Sequence, residues 1–347
     1  ESRISFGVAN INERFGIISI IQYLSALNNN LVFNKVGILI PLVIIYSTIL
    51  IFFINIFLKK NKSNLVRFLS FLFTIFVLTT SNRYSSFGND APAQFFYLVL
   101  VYYFLESTND LRNKDHFKLI SLIATFVFLI KPFFILSAII PVLFIYNKYK
   151  KIKIFNLTTY FVIFIFCTWI IKNIIVTGCL LYPINLTCFD IFDWSVNKNK
   201  FALESEAWAK GWPDRFDKSL NYEEYLEKFY WIQVWFRNHF KFIILKLAPS
   251  MIFLIFLSSI FIFKFQNKNF KECKELNQLL VFNAGFLIFW FSSFPLYRFG
   301  SAILISLIGL FFMKIFLKKI NLDNYKLRKS LVIILIFTSF GILIKNM

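Results

Sequence analysis

The sequence predicts an all-α, polytopic helical membrane protein carrying one extracytoplasmic insertion. Three observations predict it. The 347 residues are 58% hydrophobic and 20% aromatic, with 49 phenylalanines and a mean hydropathy of +0.66, more apolar surface than a soluble core can hide. That content is gathered into runs approaching the roughly 20 residues needed to cross a hydrocarbon core of about 30 Å. Short basic clusters flank the runs, as the positive-inside rule requires. A barrel would need strands of about ten residues that alternate apolar and polar, whereas a run such as Gly37 to Leu58 is continuously apolar.

About ten spans are expected, at 37–58, 65–81, 92–106, 117–130, 132–147, 153–176, 241–264, 278–292, 296–318 and 330–345. Lys131-Pro132 separates the short fourth and fifth runs. Proline removes a helix donor and restricts its predecessor, so the pair is either a tight hairpin or one broken helix. The hairpin is favoured because it keeps the charge pattern in phase. The chain then divides into an extracytoplasmic amphipathic segment (1–36), membrane spans one to six (37–176), an external loop (177–240) and spans seven to ten (241–347).

Loop charges set the orientation. Lys59, Lys60, Lys62 and Arg67 follow the first span; Arg112, Lys114 and Lys118 the third; Lys148, Lys150, Lys151 and Lys153 the fifth. Lys264, Lys268, Lys271 and Lys274 follow the seventh, and Lys314, Lys318, Lys319, Lys326, Arg328 and Lys329 the ninth. These are alternate loops, so all are read as cytoplasmic; the short loops between them hold only Lys35, Arg83, Lys131 and Arg298. Residues before the first span are then outside, which leads us to expect a further span upstream of Glu1, with part of the first external loop. Glu1 to Leu27 lacks the basic start and apolar core of a signal peptide.

The formal charge of +20 is spread over span ends, with no basic face or RNA-binding module, which argues against nucleic acid. No internal repeat supports an inverted-repeat transporter. Zinc-ligand spacing, a phosphate-binding glycine loop and a nucleophile elbow are also missing from the sequence. His116 and His239 read as structural.

The external loop Thr177 to Phe240 is the one sizeable hydrophilic element. Within it, Tyr225, Phe229, Ile232 and Phe236 recur at helical spacing, predicting an amphipathic helix over Tyr222 to Phe240 at the membrane interface. Cys179 and Cys188 both fall in this loop and are expected to pair on an oxidising side, leaving Cys167 and Cys273 as thiols.

Four polar positions on the external side could carry chemistry. Asp90 directly precedes a proline-led helix; it either caps that helix or holds a metal or phosphate-bound substrate at the membrane surface. Lys131 is either a surface anchor or a cation for a lipid-linked phosphate. Arg298, in Pro295 to Gly300, is either a snorkelling turn residue or a planar fork for phosphate. Arg83 is a weaker candidate of the same kind.

Several stretches resemble the GT-C class of integral-membrane glycosyltransferases, in particular the bacterial branch related to aminoarabinose and protein-mannosyl transferases. They are Asn10 to Gly16, Gly88 to Pro92 running into Phe95 to Phe104, Phe128 to Pro132 with Pro141, Lys172-Asn173, Thr177-Gly178, Leu181 to Pro183, Trp208 to Asp214 and Pro295 to Gly300. The resemblance implies transfer of a sugar from a polyprenyl-phosphate donor to a cell-envelope glycan or lipid acceptor, at the outer face of a bacterial inner membrane. It implies a carboxylate base in the first external loop, expected here upstream of Glu1. Some members of the class use a divalent metal such as magnesium or manganese, which makes Asp90 a candidate ligand. The competing readings are a flippase for a lipid-linked glycan, a surface-polysaccharide polymerase or ligase, and a non-catalytic relative.

Overall fold

A computed structural model describes residues 5–11, 16, 19–28, 34–80, 88–107, 113–148, 154–182, 187–189, 191–195, 198–264, 274–316 and 325–346. The described residues are mostly helical; the β-type pairing among them is an isolated bridge between Cys179 and Cys188.

A helix occupies each predicted apolar run. After the short α1 (Ile20–Leu27) come α2 (Ile40–Leu58), α3 (Asn64–Thr79), α4 (Asp90–Glu106), α5 (Asn113–Ile130), α6 (Ile139–Lys148) and α7 (Leu157–Thr177). The insertion contributes α8 (Lys198–Ala209), α9 (Tyr222–Glu227) and α10 (Tyr230–Trp235). Then follow α11 (Lys241–Lys264), α12 (Lys274–Ser293), α13 (Tyr297–Phe316) and α14 (Tyr325–Asn346). Local chemistry starts several of them. Ser19 and Gln22 form a reciprocal capping box on α1, while the Ser63 and Asn156 side chains accept the amides of Val66 and Thr159 at the starts of α3 and α7.

Among the described residues, four helical runs are long and apolar enough to cross a membrane: Val36–Leu58, Leu157–Thr177, Lys274–Ser293 and Tyr297–Phe316. That is fewer than the expected ten, and geometry gives part of the reason. Helix α3 has 16 residues, about 24 Å at 1.5 Å per residue, short of the ~30 Å core. It is instead the centre of the bundle: Leu65 through Leu78 are all buried, with α2, α4, α13 and α14 packed around it. Aromatic contacts knit that centre, including Phe53 on Phe73 at 5.4 Å and Phe68 stacked on Phe312 at 5.2 Å. The long helices turn apolar side chains outward. Leu157 and Phe164 on α7 are 85% and 67% exposed, an apolar face suited to lipid.

Two expectations about local structure are decided. Residues 131–148 form a hairpin with α5. Lys131 is extended (φ −145°, ψ 106°), and a 3-10 turn over Pro132–Ala138 leads into α6. Phe117, early in α5, then stacks on Phe144, late in α6, at 6.2 Å. The single amphipathic helix over Tyr222 to Phe240 is corrected. The chain breaks at Phe229, which takes a left-handed conformation (φ 57°), and α10 runs through a π-helical turn (Phe236–Phe240) into α11. The break rotates the register, so Tyr225, Trp231, Val234 and Trp235 are buried while Phe229 and Phe236 are 62% and 48% exposed.

Candidate functional site: an Asp–Lys–Arg cluster at one end of the bundle

Helix polarity brings the external candidates together. The start of α4, the ends of α5 and α12 and the start of α13 lie at one end of the bundle, because α4 packs on both α5 and α13, and α12 on α13. The end of α7 joins them, with Phe128 of α5 on Trp169 at 4.6 Å. The opposite end collects Lys62 paired with Glu106 at 2.5 Å and the Asn147–Gln278 amide pair, at 2.5 and 3.0 Å.

At the first end, Asp90 stands in the first turn of α4. Its Oδ1 accepts a hydrogen bond from Lys131 Nζ at 2.5 Å, and Arg298 Nε lies 3.9 Å from its Oδ2. The capping role considered for Asp90 is not the one it adopts: Asn89 is the cap residue and makes no side-chain cap bond, donating instead to the Ile130 carbonyl at 3.4 Å. Phe299 forms the floor, with Lys131 Nζ 4.1 Å and Arg298 Cζ 5.0 Å from its ring centre. The side chains of Asp90 and Lys131 are 19% and 16% exposed, whereas that of Arg298 is 55% exposed. Burial draws the Lys131 ammonium below the ordinary lysine range; Asp90 pulls it back up and Arg298 pushes it down again.

The residues that fix this geometry include some that the sequence reading did not single out. Gln94, one turn beyond Asp90, donates to the Arg298 carbonyl and accepts from the Ser301 hydroxyl at 2.8 Å, tying α4 to α13. Its signal was a lone amide in an otherwise apolar stretch of helix. Two indoles hold the turn that presents Arg298. Trp290 donates to the Leu296 carbonyl at 2.9 Å and Trp235 to the Pro295 carbonyl at 2.6 Å. Trp235 belongs to the insertion, so the insertion seats directly beside the cluster.

Cys179 and Cys188 are disulfide-bonded, and Cys167 is a free thiol. The bridge forms a small satellite core with Ala9, Val176 and Tyr182, on which the segment around Gly7 docks through its amide to the Ile175 carbonyl at 3.0 Å. Cross-linking residues nine apart is worth roughly 2–3 kcal/mol by loop-closure entropy. The Cys179→Ser/Cys188→Ser variant is therefore expected to expose residues 5–11 to limited proteolysis while the helical bundle stays intact. Equal protease resistance in the variant would show that the staple contributes nothing. Arg83 and Cys273 lie outside the described residues.

The residues present fit the divalent metal considered for Asp90 poorly. Asp90 is flanked by two cations, and among the described residues no group of three His, Cys, Asp or Glu side chains gathers to share an ion. The arrangement carries one negative and two positive charges, and its most exposed member is a guanidinium. That is chemistry for gripping an anion, with Asp90 as the buttress that keeps both cations in place.

An all-helical bundle with helices long enough to cross a membrane, and a cationic cluster at one end, defines the class as a helical protein of membrane character. The chain belongs to the family described as Domain of unknown function (DUF8201), which matches residues 4–305. The match takes in Asp90, Lys131, Arg298 and the insertion, while α14 lies beyond it. Among curated proteins and among solved structures, none matches the chain.

Proposed function

We propose that this chain is a multi-pass membrane glycosyltransferase acting at the extracytoplasmic face of a bacterial inner membrane. It takes a sugar from a polyprenyl-phosphate donor and passes it to a cell-envelope glycan or lipid. The observation that carries the reading is the meeting of Asp90, Lys131 and Arg298 at the bundle end where the insertion also sits. Basic clusters on the alternate loops give the other end to the cytosol.

In this reading Arg298 contacts the donor phosphate through its planar fork, and the more buried Lys131 adds a second positive charge beside it. As the acceptor hydroxyl oxygen attacks the sugar carbon, its proton passes to a general base or to water, the bond from that carbon to the phosphate oxygen breaks, and negative charge grows on the leaving phosphate. Cations already held by Asp90 stabilise that charge without reorganising. No step is assigned to a metal.

The test is transfer from a radiolabelled polyprenyl-phosphate sugar by the purified chain, with donor binding measured alongside. A hydrogen bond to a charged group is worth about 1.5–3 kcal/mol. Arg298→Ala should therefore weaken donor binding about ten- to a hundredfold, and its exposure predicts an unchanged melting temperature. Wild-type transfer by Arg298→Ala would remove the cluster from the site.

A further inference from the structure

Away from the cluster, a groove of about 530 Å³ runs between α6 and α12. Its walls are apolar: Ile139 and Leu143 on one side, Val281 and Gly285 on the other. Val281 is 74% exposed, and a side chain placed at Gly285 would meet nothing within 4 Å, so the groove opens outward along its length. Along α12 the lining extends from Lys274 to Phe286, about 18 Å at the helical rise. That is on the order of one leaflet, half of a ~30 Å hydrocarbon core.

The two ends of the groove differ. Towards Phe286 it closes on aromatic rings, with Phe133 stacked on Phe286 at 5.7 Å. The other end is polar and basic. Lys274 is exposed there, with its Nζ 5.0 Å from the Tyr146 ring of α6. Asn277 lines the same end with a buried Oδ1 that has no hydrogen-bond partner, and Gln278 is tied across to Asn147. Lys148 closes the last turn of α6. Glu275 is the acid in the first turn of α12, about 100° around the helix from Lys274.

We propose that this groove is a binding site for one anionic phospholipid of the leaflet at the Lys274 end. Its acyl chain lies between α6 and α12, and its headgroup phosphate sits against Lys274. The site is distinct from the sugar-donor cluster: its Lys274 mouth lies at the opposite end of the bundle, and it does not rest on the transferase reading. The length matches a single leaflet, and the charge at the mouth selects the headgroup. A basic pocket between helices is the arrangement that recognises such lipids.

The full chain, reconstituted in nanodiscs of phosphatidylcholine with or without phosphatidylglycerol, tests this by native mass spectrometry and thermal unfolding. The expected result is one retained phosphatidylglycerol per chain and a higher melting temperature with that lipid than with phosphatidylcholine alone. One lysine near a membrane surface is worth about 1 kcal/mol, so Lys274→Gln should lower retention about fivefold. Gly285→Phe fills the groove at a position with open space and replaces a poor helix former. It should abolish retention while keeping the phosphatidylcholine melting temperature. Equal retention of phosphatidylcholine, undiminished phosphatidylglycerol on Gly285→Phe, or a second copy of the chain retained in place of lipid would each overturn the proposal. Should Gly285→Phe fail to fold, undiminished retention by Lys274→Gln, whose side chain is exposed, overturns it alone.

Discussion

Asp90→Asn is expected to be the most damaging single change at the cluster. The carboxylate lies between two cations, and its side chain and that of Lys131 are less than one-fifth exposed. Removing one partner of a mostly buried ion pair costs about 3–5 kcal/mol, because the remaining charge stays desolvated. Here the penalty is compounded, since Lys131 would then face Arg298 with nothing between them. The partial exposure of the pair places the expected loss near the lower bound, about 3 kcal/mol, measured as thermal or denaturant unfolding in detergent. Asp90→Asn/Lys131→Met removes both members and should recover most of that stability while donor binding stays lost. A single variant as stable as wild type would mean that the pair is not formed. A double variant that binds donor normally would mean that Lys131 takes no part in holding the phosphate.

The cluster was legible in the sequence to a definite depth. Alternation of basic and non-basic loops assigned Asp90, Lys131 and Arg298 to one end, because helix direction reverses at each turn and end identity needs only parity. Their mutual pairing was not legible. It depends on which helices are neighbours, and α4 lying between α5 and α13 is a packing outcome that no local pattern encodes. The same limit explains Arg67. A loop-charge count treats each cation as solvated, yet Arg67 sits one turn into α3, fully buried, with its Nε donating to the Phe57 carbonyl at 3.2 Å. The tight reversal between α2 and α3 brings that acceptor within reach. Periodicity misled at 222–240 for a related reason. A left-handed residue at 229 costs about 1–3 kcal/mol, a cost set against the buried seats that Tyr225 and Trp231 gain on either side of it, and periodicity alone cannot weigh one against the other.

Gly300→Val is expected to damage fold and site together, by a route independent of charge. A Cβ at position 300 would stand 2.5 Å from Cε2 and 2.7 Å from Nε1 of Trp290, closer than carbon atoms can approach. The indole cannot yield cheaply, since it donates to the Leu296 carbonyl and packs near Trp235 at 6.3 Å. Overpacking of this kind costs about 1–3 kcal/mol. The strain falls on the turn that aims Arg298, so donor binding should fall at least as far as in Arg298→Ala although every charge of the cluster is still present. Trp290→Leu combined with Gly300→Val should relieve the clash and restore part of the melting temperature. Donor binding should stay low, because leucine cannot donate to Leu296. Recovery of binding along with stability would show that steric room alone matters at this turn; a Gly300→Val chain with wild-type stability and binding would show that α12 and α13 do not approach as closely as the structure places them.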